Sequence, residues 1–236
     1  MTAVKRAIES RHGEVELESF LLADPDAGER PLVMIFPNIF GLDEVDEENA
    51  QRIVGLGYAA FACDLYGKGR RTGDREVARP WMMALLGDRP LLQDRILHLL
   101  EVARGLPEVD GGKAAAIGFC FGGLCVLDFA RTGADIAGVA SFHGLFTPPP
   151  NIAEPKIKAR VAVYHGWEDA LVPPEQVVAL GQELTGAGCD WQIHCFGGAV
   201  HGFTHARPPE EGIAYNALAD KRAWRAAEGF LEECFG

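Results

Sequence analysis

The stretch Gly118-Phe119-Cys120-Phe121-Gly122-Gly123 carries the densest chemical signal in the chain. It joins a strand-like run, Lys113 to Phe119, to a segment of helical periodicity, Phe121 to Arg131. A nucleophile on a strand-to-helix turn needs neighbours at −2 and +2 with almost no side chain, because the turn leaves no room for one. Such a turn lifts the sulfur above the sheet and sets it at a helix N-terminus, where backbone N–H groups favour a thiolate. The same residues also fit a glycine-rich turn around an inert cysteine. A phosphate-binding loop fits less well, since the Lys-Ser/Thr ending and the G-x-G-x-x-G spacing are both missing.

Two further groups could complete a nucleophilic site. The apolar run Arg160 to Tyr164 ends in His165-Gly166-Trp167-Glu168-Asp169. An acid after a late parallel strand shares a sheet edge with the turn at Cys120 and can fix a histidine tautomer, which makes Asp169 the candidate and Glu168 its local competitor. The last strand-like run, Trp191 to Phe196, leads into Gly197-Gly198-Ala199-Val200-His201-Gly202-Phe203. A histidine there can draw the proton from Cys120. The chain order nucleophile, acid, histidine is that of α/β-hydrolases and differs from other triad folds. His143 and His165 also end strands at the active edge, and His205 lies close by.

The elements that must position these groups alternate between short apolar runs and helical stretches, which predicts one α/β domain over residues 1–236, its mostly parallel central sheet covered by helices on both faces. Strands are expected at Val15–Leu22 (alternating, as a half-buried edge), Pro31–Phe36, Tyr58–Leu65, Lys113–Phe119, Ile136–Phe142, Arg160–Tyr164 and Trp191–Phe196. Helices are expected at Asp43–Leu56, Asp74–Leu106 with a break near Gly87–Pro90, Phe121–Arg131, Pro173–Thr185 and Ala217–Phe235. The polar, mixed-charge N-terminus is not read as an element.

Composition narrows the function. With 48% hydrophobic residues the chain can fill a core, and its net charge of −12 repels a nucleic-acid backbone. No apolar run reaches membrane length and no signal-like stretch opens the chain, so a cytoplasmic protein without membrane partner is expected. The six cysteines form no C-x-x-C pair and match no zinc spacing, so no metal is expected.

With these residues in hand, the chain resembles the dienelactone hydrolase family over nearly its whole length, from Glu14 to the last helix. The resemblance rests on residues 118–123, Ser141-Phe142-His143-Gly144, His165-Gly166 with Asp169, Val172-Pro173, Gly198 with His201 and Phe203, and Asp64-Leu65-Tyr66-Gly67-Lys68-Gly69. It implies hydrolysis of a small ester or lactone through a Cys120–His201–Asp169 triad and a thiol acyl-enzyme, without metal or organic cofactor, while the sequence leaves monomer or homodimer open. It also assigns the oxyanion hole to the backbone N–H groups of Ile39 and Phe121. Phe40, Trp81, Phe121 and Phe203 are candidates for an apolar pocket, with core packing the stronger reading.

Three positions depart from the family. Asn38 stands where the family usually has a glutamate that helps activate the cysteine, and it cannot take a proton. Lys68 matches the first of two carboxylate-binding arginines but lacks the planar fork. His205 falls at the second, with Arg207 two places on. These departures point away from dienelactone itself as substrate. They also leave open two other classes, a ligand binder with a disabled site and a redox-responsive thiol protein.

Overall fold

The computed structural model describes residues 3–152, 155–206 and 208–236. The chain divides into two compact units, residues 1–116 and 117–236.

The first unit opens with a hairpin of β1 (Val4–His12) and β2 (Val15–Ala23), antiparallel from Val4↔Ala23 to His12↔Val15. Gly13 turns the corner at φ +58, which only glycine adopts without strain. It continues with β3 (Arg30–Phe36), α1 (Glu44–Gly55), β4 (Ala59–Ala62), α2 (Arg75–Gly87), α3 (Arg89–Arg104) and the start of β5 (Val109–Phe119). The strand order is β1-β2-β4-β3, with β5 next beyond β3. The β3–β4 pairing is parallel and β2–β4 antiparallel. Leu32 to Phe36 are fully buried, as an apolar run of strand length requires.

The unread N-terminus and the edge position of β2 are corrected in this unit, whereas the helical break is found where expected. β1 went unread because only Ile8 along it is buried, so no apolar alternation marks it. Its presence makes β1 the edge and puts β2, expected there, between two neighbours. The expected helical break near Gly87–Pro90 is the junction of α2 and α3, where the Asp88 carboxylate accepts from the Leu91 N–H at 3.1 Å.

The second unit holds the end of β5, α4 (Phe121–Arg131), β6 (Gly138–Phe142), β7 (Arg160–Gly166), α5 (Pro174–Ala187), β8 (Trp191–Phe196) and α6 (Ala217–Phe235). Its strand order runs from β5 through β6 and β7 to β8, with β6–β7 and β7–β8 parallel. Every residue of α4 is buried, including two charged ones, Asp128 and Arg131. Buried charge must be paired, and Arg131 bonds Asp128 at 3.2 Å and grips Glu183 with two nitrogens at 2.7 and 2.8 Å. No helix among the described residues is long and apolar enough to cross a membrane.

Candidate active site

Cys120 sits between β5 and α4 with φ 54 and ψ −112, a backbone state that a side chain rarely adopts. Packing enforces the turn. A Cβ on Gly118 would lie 2.1 Å from the Gly122 carbonyl oxygen, and one on Gly123 would lie 2.6 Å from Gly144 Cα. Cys120 N–H donates to the Phe142 carbonyl at 3.0 Å, tying the turn to the end of β6. The thiol is partly exposed, whereas Asp169 and His201 are buried.

Asp169 lies just past β7 in a tight turn, its N–H bonded to the Gly166 carbonyl at 3.0 Å. One carboxylate oxygen accepts from the Leu171 N–H at 2.9 Å, which leaves the other to face His201. The loop carrying His201 is pulled against the end of β7. Trp167 N–H bonds the Phe196 carbonyl and Glu168 N–H the Ala199 carbonyl, both at 3.0 Å. Gly166 permits this approach, since a Cβ there would meet the carbonyl oxygens of Ala199 and Val200 at 2.6 Å.

The three side chains meet in series. His201 Nδ1 lies 2.7 Å from Asp169 Oδ2, and His201 Nε2 lies 3.0 Å from Cys120 Sγ. Burial alone would push the His201 pKa down, but the Cys120 and Asp169 charges and hydrogen bonds outweigh it and raise the imidazole to about 10. That shift favours the protonated ring at His201. Glu168, the competing acid, instead accepts from the Gly198 N–H at 2.7 Å and braces the same loop.

Phe121 opens α4, where backbone N–H groups face out of the helix start. Phe121 and Phe203 are fully buried and belong to the core. His205 lies tilted beside Phe119 and edge-on to His143, with ring centroids 5.8 and 5.2 Å away, and its backbone N–H bonds the Gly202 carbonyl. Arg207 lies outside the described residues.

Ile39, Asn38 and Lys68 belong to the first unit. Asn38 and Ile39 are buried just past β3, and Asn38 Oδ1 accepts from the Phe40 N–H at 2.9 Å, an Asx turn that shapes the loop. Asp64 holds the segment before Lys68, accepting from the N–H groups of Tyr66, Gly67 and Glu18 at 2.9 Å. Lys68 itself pairs with Glu9 and, at 3.4 Å, with Glu18. Its charge is thus offset within its own unit by residues far from it in the chain.

Residues 18–235 match the model of the dienelactone hydrolase family. The chain belongs to the dienelactone hydrolase family. It is a hydrolase of the α/β-hydrolase fold. A carboxymethylenebutenolidase-like protein of Synechocystis sp. is 30% identical over 89% of each chain. Two solved structures cover 99% of this chain and are covered by it to 99%, each with a TM-score of 0.92. One is named m3DLH, at 38% identity, and the other is a dienelactone hydrolase-like promiscuous phosphotriesterase from metagenomic libraries, at 36%.

Sequence reasoning noted His143 and His165 at strand ends but gave them no role, and it passed over Thr204. His143 and His165 are buried, His143 with its ring 5.3 Å from that of His201. The signal was their place in the segments 141–144 and 165–169. What was missing was depth, since periodicity does not say which strand-end histidine is enclosed.

Proposed function

We propose that this family member cleaves small carboxylic esters or lactones by nucleophilic attack of Cys120. The observation that carries the reading is the series Asp169–His201–Cys120, with separations of 2.7 and 3.0 Å in one compact unit. The Cys120 thiolate adds to the carbonyl carbon, and the resulting oxyanion takes a hydrogen bond from Phe121 N–H. Collapse of the adduct breaks the C–O bond, and the His201 imidazolium gives its proton to the departing alkoxide. Neutral His201 then removes a proton from water, which attacks the thioester and releases the acid. The thiolate and imidazolium are restored together. Asp169 stays ionised throughout and holds His201 in the productive tautomer.

The test is p-nitrophenyl acetate hydrolysis by the wild type and Cys120→Ala side by side, with dienelactone as a second substrate. Turnover in the wild type that vanishes in the variant is expected. Turnover retained without the thiol overturns the mechanism, and none in either protein favours the ligand-binding alternative. The likeness to a promiscuous phosphotriesterase at 36% identity favours a second reading. A preformed thiolate can also displace p-nitrophenolate from a neutral phosphotriester, so such an ester belongs in the same assay, read with the same variant.

A further inference from the structure

Among the described residues, two that are not glycine have positive φ: Cys120 at 54 and His143 at 38. Strain of this kind persists only where the surroundings over-determine it, and it clusters at working sites. Around His143 the surroundings are explicit. Its N–H donates to the Tyr164 carbonyl at 2.8 Å. The next residue, Gly144, is wedged so closely that a Cβ would meet Ser141 Oγ at 2.2 Å and the Gly123 carbonyl carbon at 2.8 Å. The turn that presents His143 is therefore locked onto the same helix start that presents Cys120.

The ring of His143 meets His201 at 5.3 Å and 69°, Phe203 at 5.2 Å and 80°, and His205 at 5.2 Å and 73°. Its Nε2 is 2.8 Å from Thr204 Oγ1, a hydroxyl on the loop that carries His201. Its Nδ1 is buried without a hydrogen-bond partner. We propose that His143 is a positioning residue for the general base: anchored to Thr204, its neutral ring fixes the plane in which His201 spans Asp169 and Cys120. The proposal rests on the thiol reading above.

Neutrality is part of the device. Protonation would put an unaccepted N–H and a buried charge against the His201 imidazolium. Burial, with His205, His201 and His165 as the titratable groups facing it, holds the ring well below the ordinary histidine range. His143 thus supports a charged base without competing for its counter-charges.

The deciding variant is Thr204→Val, which deletes one hydroxyl, with Thr204→Ser as rescue and His143→Phe as a second arm checked for folding by circular dichroism. Two readouts are taken: ester kinetics, and iodoacetamide alkylation of Cys120 against pH, followed by mass of the Cys120 peptide. Expected for Thr204→Val are a kcat lowered roughly tenfold with KM within about twofold, and alkylation at pH 7 slowed by a similar factor, since small misplacement of a catalytic group has effects of this order. Thr204→Ser restores both. Wild-type kinetics and an unchanged alkylation profile in Thr204→Val overturn the proposal while leaving the thiol mechanism standing. Turnover that survives Cys120→Ala overturns the mechanism instead. The alkylation arm still judges His143 in that case, and also if no ester is turned over.

Discussion

Among the described residues, the pairs His201–Asp169 and His12–Asp94 are of nearly equal length but lie in different settings. His201 and Asp169 lie 2.7 Å apart with side-chain exposures of 3% and 0%, whereas His12 and Asp94 lie 2.8 Å apart with exposures of 12% and 75%. His12 also has polar neighbours at its ring, 3.5 Å from Arg95 Nε and tilted at 5.3 Å from the His98 ring. Hydrogen-bond length does not separate the pairs; enclosure does. Water screens an exposed pair to about 0–1 kcal/mol, while a buried carboxylate acts at full strength on the one ring beside it. The buried pair also has a third member, Cys120, on the far ring nitrogen. The exposed pair fastens β1 to α3.

The largest effect is expected from breaking each pair in the same way. Asp169→Asn keeps the shape and favours the wrong tautomer of His201, so kcat should fall by about 10⁴. Asp94→Asn should leave kcat within about twofold and change stability by no more than about 1 kcal/mol. Parallel kinetics on the two variants measure the contrast directly. Comparable losses in both would mean that enclosure is not what sets the pairs apart.

The two glycine settings sharpen the same point through packing. Gly123→Ala drives a methyl to within 2.6 Å of Gly144 Cα, where backbone has to move, while Gly197→Ala meets nothing within 4 Å. Denaturant titration should show a loss of about 1–3 kcal/mol or more for the first and a change within about 0.5 kcal/mol for the second. Ester turnover should fall with the first, because the turns at Cys120 and His143 both lean on that contact.

Acid should weaken the buried side of the comparison. His143 and His165 are held below the usual histidine range, chiefly by burial. Groups with depressed folded pKa are neutral without penalty above about 6.5, their unfolded value, and cost stability as pH falls below it. His201 has the opposite sign: raised to about 10, its pairing stabilises fully below 6.5 and is lost as pH rises through about 10. Replacing one of these rings by His165→Phe should therefore flatten the drop in Tm between pH 6.5 and 5 and leave the alkaline side unchanged. A drop as steep as in the wild type would remove His165 from the account.

How far this was legible in the sequence follows from the same physics. Strand β3 and helix α4 were plain because buried elements are mostly apolar, and Gly118, Cys120 and Gly122 were plain because a sharp turn excludes side chains. β1 was hidden, since an exposed strand needs no pattern. Asp169 was read as the acid with Glu168 as its competitor in the same loop; what the sequence did not show is that Asp169 is the enclosed carboxylate while Glu168 braces Gly198. Lys68 was legible as a cation but not as a paired one, because Glu9 and Glu18 come from the hairpin that the sequence only half revealed.

That last residue gives the smallest expected effect. Lys68 was read as a partial replacement for a carboxylate-gripping arginine. Glu9 and Glu18 both hold it, and they push its pKa up by hydrogen bonding and charge while Glu9 is pushed down in return. An ammonium already matched by two carboxylates presents little net positive potential to an anionic substrate. Lys68→Ala should change kcat/KM for both p-nitrophenyl acetate and dienelactone by less than about twofold at 0.15 M salt, and leave Tm within error. A selective loss on the anionic substrate, growing as salt is lowered, would show that Lys68 leaves its partners to bind substrate. Glu9→Gln with Glu18→Gln should then raise activity on dienelactone alone, because releasing the lysine frees the charge that the hairpin now holds.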